Sequence, residues 1–500
     1  MTGRGWLVGV LIVVLGLSLF SGVAAAEPLV DLDPVDLNGE GTATDPYEIS
    51  NASELQSMRG NLSANYTLMG TIEAANTSAW NDGAGFEPIG NDSEPFTGTF
   101  DGNEQTIRAL AINRTTDDPV GLFGATDEAT IERVGLVDVD IVGNASAGST
   151  IFVGGLVGNM SGTVDTTFVN GSVDGSDTVG GLVGNLNGTV TDSYATSSVD
   201  GGARVGGLVG FSPDGEIRSS YAVGVVDDTA ATAGGLVGEN SGGVVDSYWD
   251  TESTEQATSD GGTDLTKAQM TGHNATANMD GFDFYDHWIP TAEYPMLTWE
   301  FFAESTGDGS EAEPYRVDDV YGLQAIDADP AANYTLSDSI DMSDTAGWNG
   351  GAGFEPIANG SEFSGSIDGD GNTISDLTIN RSSASFVGLI SETGSGSIVS
   401  NLTIVDATVS GGDISETLAG LNNGAISEVV ITDVKQEQMN HLHMRSAGLS
   451  EKTMVRLKIH TLVDLSLHMR VIELEALLDG TKVSFGNQLQ TQVFLHLRGI

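Results

Sequence analysis

The chain has 500 residues, among them 67 glycines and no cysteine, and its 71 acidic and 18 basic residues give a formal net charge of −53. So large a negative charge disfavours nucleic acid and anionic membranes as partners, and a chain without cysteine has no disulfide framework. Intrinsic disorder is the first alternative for an acidic chain, but apolar residues recur at fixed places and favour a folded protein. An acidic surface screened by high salt is the preferred interpretation, and an ordinary calcium-rich acidic surface is the alternative.

Residues 1–26 have the features of an export signal. Arg4 precedes an apolar run from Trp6 to Phe20, and three alanines at 24–26 resemble a cleavage site, so the mature chain is expected to begin near Glu27. An uncleaved N-terminal anchor is the alternative, because the apolar stretch is about long enough to span a bilayer. We therefore expect a secreted or cell-surface protein with no membrane span in the mature chain.

A six-residue glycine phrase occurs four times and determines the predicted architecture. The phrase is Val153-Gly-Gly-Leu-Val-Gly158, and its later copies begin at Val179, Val205 and Ala233, so the copies are almost evenly spaced along the chain. One such turn cannot bury its apolar side alone, whereas stacked turns bury it against one another. We expect the glycines to allow positive φ at corners and close approach of neighbouring backbones.

The period and the short strands predict an all-β fold, namely a parallel β-solenoid (β-helix) built from repeats of about 26 residues. A propeller is disfavoured because its repeats are longer, roughly 40 to 45 residues.

Stacking the repeats in register predicts columns of equivalent residues. The leucine column consists of Leu156, Leu182, Leu208 and Leu236, and the aromatic ladder consists of Phe168, Tyr194, Tyr221 and Tyr248. Since the aromatic residues keep a fixed register with the inward valines, we expect them to lie in the core or to pack on the corners. The alternative is a stacked sugar-binding face.

The N-terminal region is duplicated later in the chain. Landmarks such as Gln56 and Trp80 return 267 or 268 residues later, as Gln324 and Trp348. The predicted organisation is a signal peptide (1–26), an acidic linker (27–40), an N-terminal β unit (41–124), the repeat array (125–250), an array-terminating segment (251–300), a second copy of the β unit with a truncated array (301–434), and an atypical basic, His-rich tail (435–500).

The composition changes at residue 435. Residues 1–434 contain 10 basic and 65 acidic residues, whereas residues 435–500 contain 8 and 6, together with five of the seven histidines. The stretch from Val455 to Leu478 is interpreted as helical. A helical cap that closes the coil is one explanation, and a metal-binding tail is another, although His441 and His443 have no matching ligand cluster nearby. The array stops within a repeat, which favours a third explanation, a frame disruption or insertion that truncated a longer gene.

Asn-x-Ser/Thr sequons are frequent and indicate a surface glycoprotein. The fifteen candidate positions are Asn51, Asn61, Asn65, Asn76, Asn91, Asn113, Asn144, Asn159, Asn170, Asn187, Asn274, Asn333, Asn359, Asn380 and Asn401. Asparagine, serine and threonine are also turn residues, so a single sequon is weak support for modification.

Residue patterns that carry catalysis are not found in the sequence. The stretch Asp368-Gly-Asp370-Gly-Asn372 opens like a calcium loop, but Thr373 and Ile379 stand where that loop requires glycine and glutamate. A turn between strands is the preferred interpretation. We predict no catalytic residue, no cofactor and no metal site.

The repeats resemble a known family. Gly-Gly-Leu-Val-Gly followed by Gly-x-Val/Ile-x-x-Ser/Thr-Tyr/Phe resembles the GLUG motif of large secreted and surface proteins, which include adhesins and some surface proteases. The segment from Ser247 to Trp299 resembles the ending of such arrays, and the resemblance covers roughly residues 41–434. High acidity with many sequons is also similar to haloarchaeal surface proteins. The resemblance implies non-catalytic repeats, so no active-site residue is carried over.

Two functional hypotheses follow from the sequence. The first is a non-catalytic secreted or cell-surface repeat protein for adhesion or envelope interaction at high salt, with glycans or other surface proteins as candidate partners. The second is a polysaccharide-active or glycan-binding β-helix protein. A lyase of that type needs basic residues gathered in one groove, but Arg133, Arg204 and Arg218 do not align in one column.

Overall fold

The computed structural model describes residues 37–115, 119–146, 149–227, 229–412, 414–436, 454–461, 470–479 and 482–483. The predicted signal peptide, most of the acidic linker and most of the basic tail therefore lie outside the described residues. The described chain is an all-β parallel solenoid, as predicted, with a few short helices.

Residues 37–262 form the first coil. Its strands are Tyr47–Ile49, Tyr66–Leu68, Ile72–Glu73, Thr99–Arg108, Ala111–Arg114, Phe123–Ala125, Ala129–Gly143, Phe152–Gly154, Val157–Met160, Gly162–Asp165, Phe168–Gly175, Thr178–Gly180, Val183–Leu186, Thr189–Thr191, Tyr194–Ala195, Ser198–Asp200, Arg204–Gly206, Val209–Ser212, Glu216–Arg218, Tyr221–Ala222, Thr232–Gly234, Val237–Asn240, Gly243–Val245 and Tyr248–Asp250. One α-helix, Ala52–Ser57, and three 3₁₀ turns, Met58–Gly60, Ala75–Ala79 and Asn81–Gly83, lie near its start.

The glycine phrase forms a corner between two parallel sheets. Its first residue lies in a four-stranded sheet in which Val153, Val179, Val205 and Ala233 are in register. The fifth residue of each phrase begins a strand of a neighbouring sheet. The leucine column lies at this corner with 0% exposure, and the backbone N–H of each leucine donates to the carbonyl of the next, as in Leu182 to Leu208 at 2.9 Å.

The glycines of the phrase serve close backbone approach. A Cβ on Gly206 would lie 2.0 Å from the carbonyl oxygen of Val209, and protein structures essentially never contain so short a Cβ contact. None of the phrase glycines has positive φ, so the expectation of positive φ there is wrong. The positive-φ corners of the array follow the second strand instead, at Thr166, Asp192, Ser219 and Asp246, with φ between 42° and 53°.

Buried hydroxyls support these positive-φ corners. The residue after each corner is Thr167, Ser193, Ser220 or Ser247, all at most 1% exposed. The backbone N–H of Thr167 donates to the Ser193 hydroxyl at 3.1 Å, and that of Ser193 donates to the Ser220 hydroxyl at 3.2 Å. Since a buried N–H needs a partner, this hydroxyl column satisfies donors that the corner removes from the sheet ladder.

Residues 266–304, called the strap, follow the first coil after a strand at Thr263–Leu265. The strap contains helices Lys267–Met270, Asn274–Asn278 and Thr298–Glu304, and an antiparallel strand pair, Trp288–Ile289 with Met296–Leu297.

Residues 307–436 form the second coil. Its strands are Tyr315–Val317, Asn333–Leu336, Ile340–Asp341, Ser366–Asp368, Thr373–Ser375, Thr378–Arg381, Phe386–Val387, Ile390–Thr393, Ile398–Ser400, Thr403–Val405, Thr408–Gly411, Ile414–Ser415, Ala419–Asn422, Ala425–Ser427, Val430–Thr432 and Val434–Gln436. It has an α-helix at Val320–Ala325 and 3₁₀ structure at Ser343–Gly351. The two coils have separate apolar cores.

The described part of the tail is made of strands. Met454–Thr461 and Arg470–Asp479 pair antiparallel, Arg470–Asp479 also pairs with Lys482–Val483, and Val434–Gln436 pairs parallel with Met454–Thr461. The helical interpretation of Val455 to Leu478 is therefore wrong for these strands.

The sequence of the tail contains the strand signal that the helical interpretation missed. Val455, Leu457 and Ile459 alternate with polar residues, which is the period of a strand. The register places Arg456 opposite Glu475 in the antiparallel pair. His460 lies in the first of these strands, while His441, His443, His468 and His496 lie outside the described residues.

Candidate functional site

The aromatic ladder lies on the outer side of the first coil. The residue after each ring, as in Val169 or Ala195, joins the coil interior, so the rings themselves point the other way. The ring centroids of Phe168 and Tyr194 are 5.1 Å apart, with an angle of 10° between the ring planes. For Tyr194 and Tyr221 the centroid distance is 4.8 Å and the interplanar angle is 5°. This spacing follows the separation of neighbouring strands.

The strap covers the ladder from its last turn back to its first. Its backbone carbonyls at Asp280 and Pro295 accept hydrogen bonds from the hydroxyls of Tyr248 and Tyr221, at 2.9 and 2.6 Å. The carboxylate of Glu300 accepts from the Tyr194 hydroxyl at 2.7 and 2.8 Å. Trp299 then stacks on Phe168 with 5.7 Å between ring centroids. All four ladder rings are consequently at most 5% exposed, and the ladder presents no open sugar-binding face.

Trp288 is the centre of the contact between strap and ladder. Its side chain is fully buried, its ring lies 5.6 Å from that of Tyr221, and its indole N–H donates to Asp192 Oδ1 at 3.1 Å. Burial raises the pKa of Asp192, and the hydrogen bond from Trp288 partly offsets that rise. Sequence reasoning did not identify this docking, although the aromatic residues between 282 and 299 were a signal that the segment packs on something.

Buried carboxylates also hold the strap. Asp250, at the end of the first coil, is fully buried and accepts a hydrogen bond from the Tyr294 hydroxyl at 2.5 Å. Glu300 is only 6% exposed. Each of these carboxylates has a hydroxyl donor, as burial of a charge requires.

The sequon asparagines are all accessible to some degree. Eight are exposed, namely Asn51, Asn76, Asn113, Asn144, Asn187, Asn274, Asn359 and Asn380, and seven are half-buried, namely Asn61, Asn65, Asn91, Asn159, Asn170, Asn333 and Asn401.

Hydrogen bonding divides the sequons further. The side-chain amides of Asn159 and Asn401 donate to Asp92 and Asp368 at 2.8 and 2.9 Å. Attaching a glycan to that nitrogen replaces one of its two hydrogens and places a bulky sugar beside the aspartate, so these bonds compete with modification. For Asn76, Asn113 and Asn187, no side-chain hydrogen bond is formed within the described residues, so their amides are the most available.

The calcium-like stretch at Asp368 is a turn between strands. The Asp370 backbone N–H donates to the Asp368 carboxylate at 3.0 Å, and Asp370 has a φ of 47°. Elsewhere in the described ranges, the exposed residues Asp283, Asp286 and His287 place ligand atoms within 4.8 Å of one another. Exposed acidic groups of this kind are common without a metal, so they do not define a site.

The arginines of the array do not form a basic groove. Arg133 pairs with Asp101 at 2.6 Å, Arg204 pairs with Glu239 at 2.6 Å, and Arg218 pairs with Glu216. Each guanidinium is therefore already matched by a carboxylate.

A cleft of about 670 Å³ lies where the first coil, the strap and the second coil meet. We call it the junction cleft. The first coil contributes Glu132 and Asp165, the strap contributes Trp299, and the second coil contributes Tyr315 and Asp329. Burial first, then the neighbouring Asp101, raises the pKa of Glu132. Sequence reasoning missed this cleft because its walls come from distant parts of the chain.

The described residues contain no helix that is both long and apolar enough to cross a membrane.

Comparison with known proteins identifies similar chains but no matching family model. Halomucin of Haloquadratum walsbyi is 26% identical over 79% of this chain, which spans 6% of that protein's length. A provisionally named Gly-rich membrane protein of Evansella cellulosilytica is 34% identical over 26% of this chain and 15% of its own length. The chain thus corresponds to a small part of each of these relatives. The match to Halomucin supports the resemblance to haloarchaeal proteins, whereas no family model supports the GLUG motif itself.

Among solved structures, a Bacteroides ovatus protein assigned provisionally as an immunoglobulin A1 protease is 19% identical. The match covers 52% of this chain and 94% of that protein, with a TM-score of 0.36. At this score the match carries no argument about function.

Proposed function

We propose that the chain is a non-catalytic, exported repeat protein of the cell surface that takes part in adhesion or envelope interaction at high salt. The observation that carries the proposal is a solenoid of two coils, each with its own apolar core, in a chain of net charge −53. Such a shape presents a long acidic face, which suits contact with surfaces more than it suits enclosed chemistry. The similarity to Halomucin supports an extracellular location and a haloarchaeal type of surface protein.

Salt dependence tests the environment in this proposal. At about 1 M salt the Debye length is about 3 Å, so repulsion between surface carboxylates is largely screened. We expect the urea midpoint of unfolding to rise steeply between 0.1 and 2 M KCl. An unchanged midpoint over that range would favour the ordinary acidic surface instead.

Binding to cells tests the role itself. Fluorescently labelled protein is incubated with whole cells and with isolated envelopes, and an equally acidic, unrelated soluble protein serves as the control. Saturable retention that the control lacks is the expected result. Release of unsaturated sugars from acidic polysaccharides would instead establish a polysaccharide-active enzyme.

Glycosylation of the sequons belongs to the same proposal. Because their amides are exposed and make no side-chain hydrogen bond within the described residues, Asn76, Asn113 and Asn187 should carry glycans at higher occupancy than Asn159 or Asn401. Glycopeptide mass spectrometry of protein from its native host measures that order.

A further inference from the structure

We propose that the junction cleft binds a neutral oligosaccharide through an aromatic wall and a set of hydrogen-bonding groups on the facing surfaces. The proposal rests on the proposed surface role, for which it names a ligand class and a place. It also moves glycan binding away from the aromatic ladder, which the strap buries.

The aromatic wall is the first part of the argument. Phe302 and Tyr315 are half-buried and in contact, with 4.8 Å between ring centroids, and both line the cleft together with Trp299. Half-exposed aromatic rings in a concave site provide an apolar surface with a polar edge. The apolar C–H face of a sugar ring can pack on such a surface while its hydroxyls turn towards the cleft walls.

The polar groups are the second part. Carboxylates line the cleft on all sides, namely Glu104, Glu132, Asp165, Asp286, Asp308 and Asp329. They are acceptors for hydroxyl donors. Arg133 and His287 supply donors to the same cleft, and Gln105 and Thr166 supply groups that both donate and accept.

One buried polar atom of the lining residues has no hydrogen-bond partner in the part of the chain that the structure describes. The hydroxyl oxygen of Thr298 is buried, and within the described residues it makes no hydrogen bond. Buried polar atoms are normally satisfied, but this oxygen is covered in the folded chain, so a ligand hydroxyl would reach it only after a small shift of the cleft wall.

This combination selects among ligand classes. An anionic polysaccharide or a nucleic acid would be repelled by the carboxylates. A site for a simple cation would not be expected to contain Arg133, whose guanidinium already pairs with Asp101 at 2.6 Å. A neutral ligand with many hydroxyls uses both the donors and the acceptors. The volume of about 670 Å³ lies within the range of small-molecule sites, roughly 300–1,000 Å³, and suits a short stretch of a sugar chain.

Binding measurements on the full chain test the proposal. The protein is titrated with maltohexaose, cellohexaose, xylohexaose and mannohexaose, and binding is detected by saturation-transfer NMR and calorimetry. We expect saturable binding of at least one of them and none of polygalacturonate. Tyr315→Ala should weaken that binding about tenfold or more, because it removes part of the aromatic wall.

Glu132→Gln keeps the shape of the side chain and is the second variant, in case Tyr315→Ala does not fold. It should weaken binding at least about threefold, since an amide is a poorer acceptor than a carboxylate. Phe211→Ala is the matched control, because Phe211 is half-buried on the first coil outside the cleft, and it should leave affinity unchanged.

Three results would overturn the proposal: no saturable binding of any of the four sugars, binding that neither cleft variant weakens, or tighter binding of spermidine than of every sugar. Its failure is separable from that of the surface role. If one of those three results is found while the unchanged protein is still retained on cells, the surface role stands and the cleft proposal falls.

Discussion

The first and second coils begin alike and end differently. In both, an N-terminal helix is capped by an acidic or amide side chain, Asn51 in one and Asp319 in the other. A glutamine within each helix exchanges two hydrogen bonds with a backbone, Gln56 with Glu87 at 2.8 Å and Gln324 with Glu355 at 3.0 Å. A sequence duplicated in this way builds the same start twice.

The ends of the coils differ in what covers them. In the last turn of the first coil, Leu236 and Val237 are fully buried, and their backbone N–H groups donate to the Ser259 hydroxyl. At the equivalent positions of the second coil, Leu418 and Ala419 are also buried, at 6% and 8% exposure. Within the described ranges, the second coil has no aromatic ladder on its outer side, and the strap contacts it at another place, where the His273 ring stacks on Trp348 with 4.3 Å between ring centroids.

This difference indicates that the aromatic ladder requires the strap as its cover. Aromatic rings on the outer side of a coil would expose a large apolar patch, which soluble proteins rarely leave uncovered. The strap removes that patch and returns the chain to the first turns of the coil, where the second coil begins. Its length is therefore matched to the number of turns that carry the ladder.

Replacing Trp288 should cause the largest loss of stability, and the loss should be confined to the first coil. Trp288→Ala should lower the free energy of unfolding of the first coil by about 3–5 kcal/mol, the usual cost of deleting a buried aromatic side chain. Urea unfolding followed by circular dichroism measures the loss, and hydrogen exchange should show the second coil unaffected. Phe386→Ala, at a ring 36% exposed on the second coil, should cost much less; an equal cost in both variants would contradict the role assigned to the strap.

Adding one methyl group to the glycine phrase should cause the next largest loss of stability. Gly206→Ala should destabilise the first coil by about 1–3 kcal/mol, because the backbone must shift to admit the Cβ. Gly347→Ala is the matched control, since a Cβ there meets no atom within 4 Å. Thermal unfolding of the two variants compares them directly, and a Gly206→Ala protein as stable as the control would show that the phrase needs no close approach.

The hydroxyl column distinguishes the corners of the two coils. Ser193→Ala should cost about 1–2 kcal/mol, because it leaves the buried N–H of Thr167 without an acceptor. The exposed Ser198 provides the control substitution. In the second coil the positive-φ corners Asn401 and Glu428 are followed by Leu402 and Val429. These side chains have no hydroxyl, so the same test cannot be made at those corners. Loss of protection of the Thr167 amide in hydrogen exchange would locate the effect.

The smallest expected effect is the pH dependence of stability that arises from Asp192. Burial raises the pKa of Asp192 above 3.8, so between the unfolded and folded pKa values the folded protein holds a proton that the unfolded chain releases. The contribution of this group is therefore most favourable below pH 3.8 and is lost as the pH rises through the folded pKa.

Asp192→Asn removes that pH dependence but keeps an oxygen that can accept the Trp288 indole hydrogen bond. Relative to the unchanged protein, the variant should gain stability as the pH rises from 3.5 to 7. Denaturant melts at both pH values measure the difference, and a relative loss at pH 7 would contradict the expected sign.

The sequence allowed the coil to be predicted because its signal is periodic. The even spacing of the glycine phrase places Leu156, Leu182 and Leu208 in one column, and the structure buries all three. The strands of the tail were missed because the short alternation around Leu457 was interpreted as a helical pattern.

The strap and the junction cleft could not be predicted in the same way. Their contacts join residues far apart in sequence, such as Trp299 and Thr166, which share a hydrogen bond of 3.3 Å. No period encodes such a contact, and an aromatic column alone does not say whether solvent, a ligand or the same chain covers it.

Hydroxyl-radical footprinting of the full chain, read by mass spectrometry, tests most directly whether the strap covers the ladder. We predict slow modification of Phe168, Tyr194, Tyr221 and Tyr248, each at most 5% exposed, and fast modification of Phe386, which is 36% exposed. Ladder rings that react as fast as Phe386 would contradict this coverage, because the ladder would then be an open face.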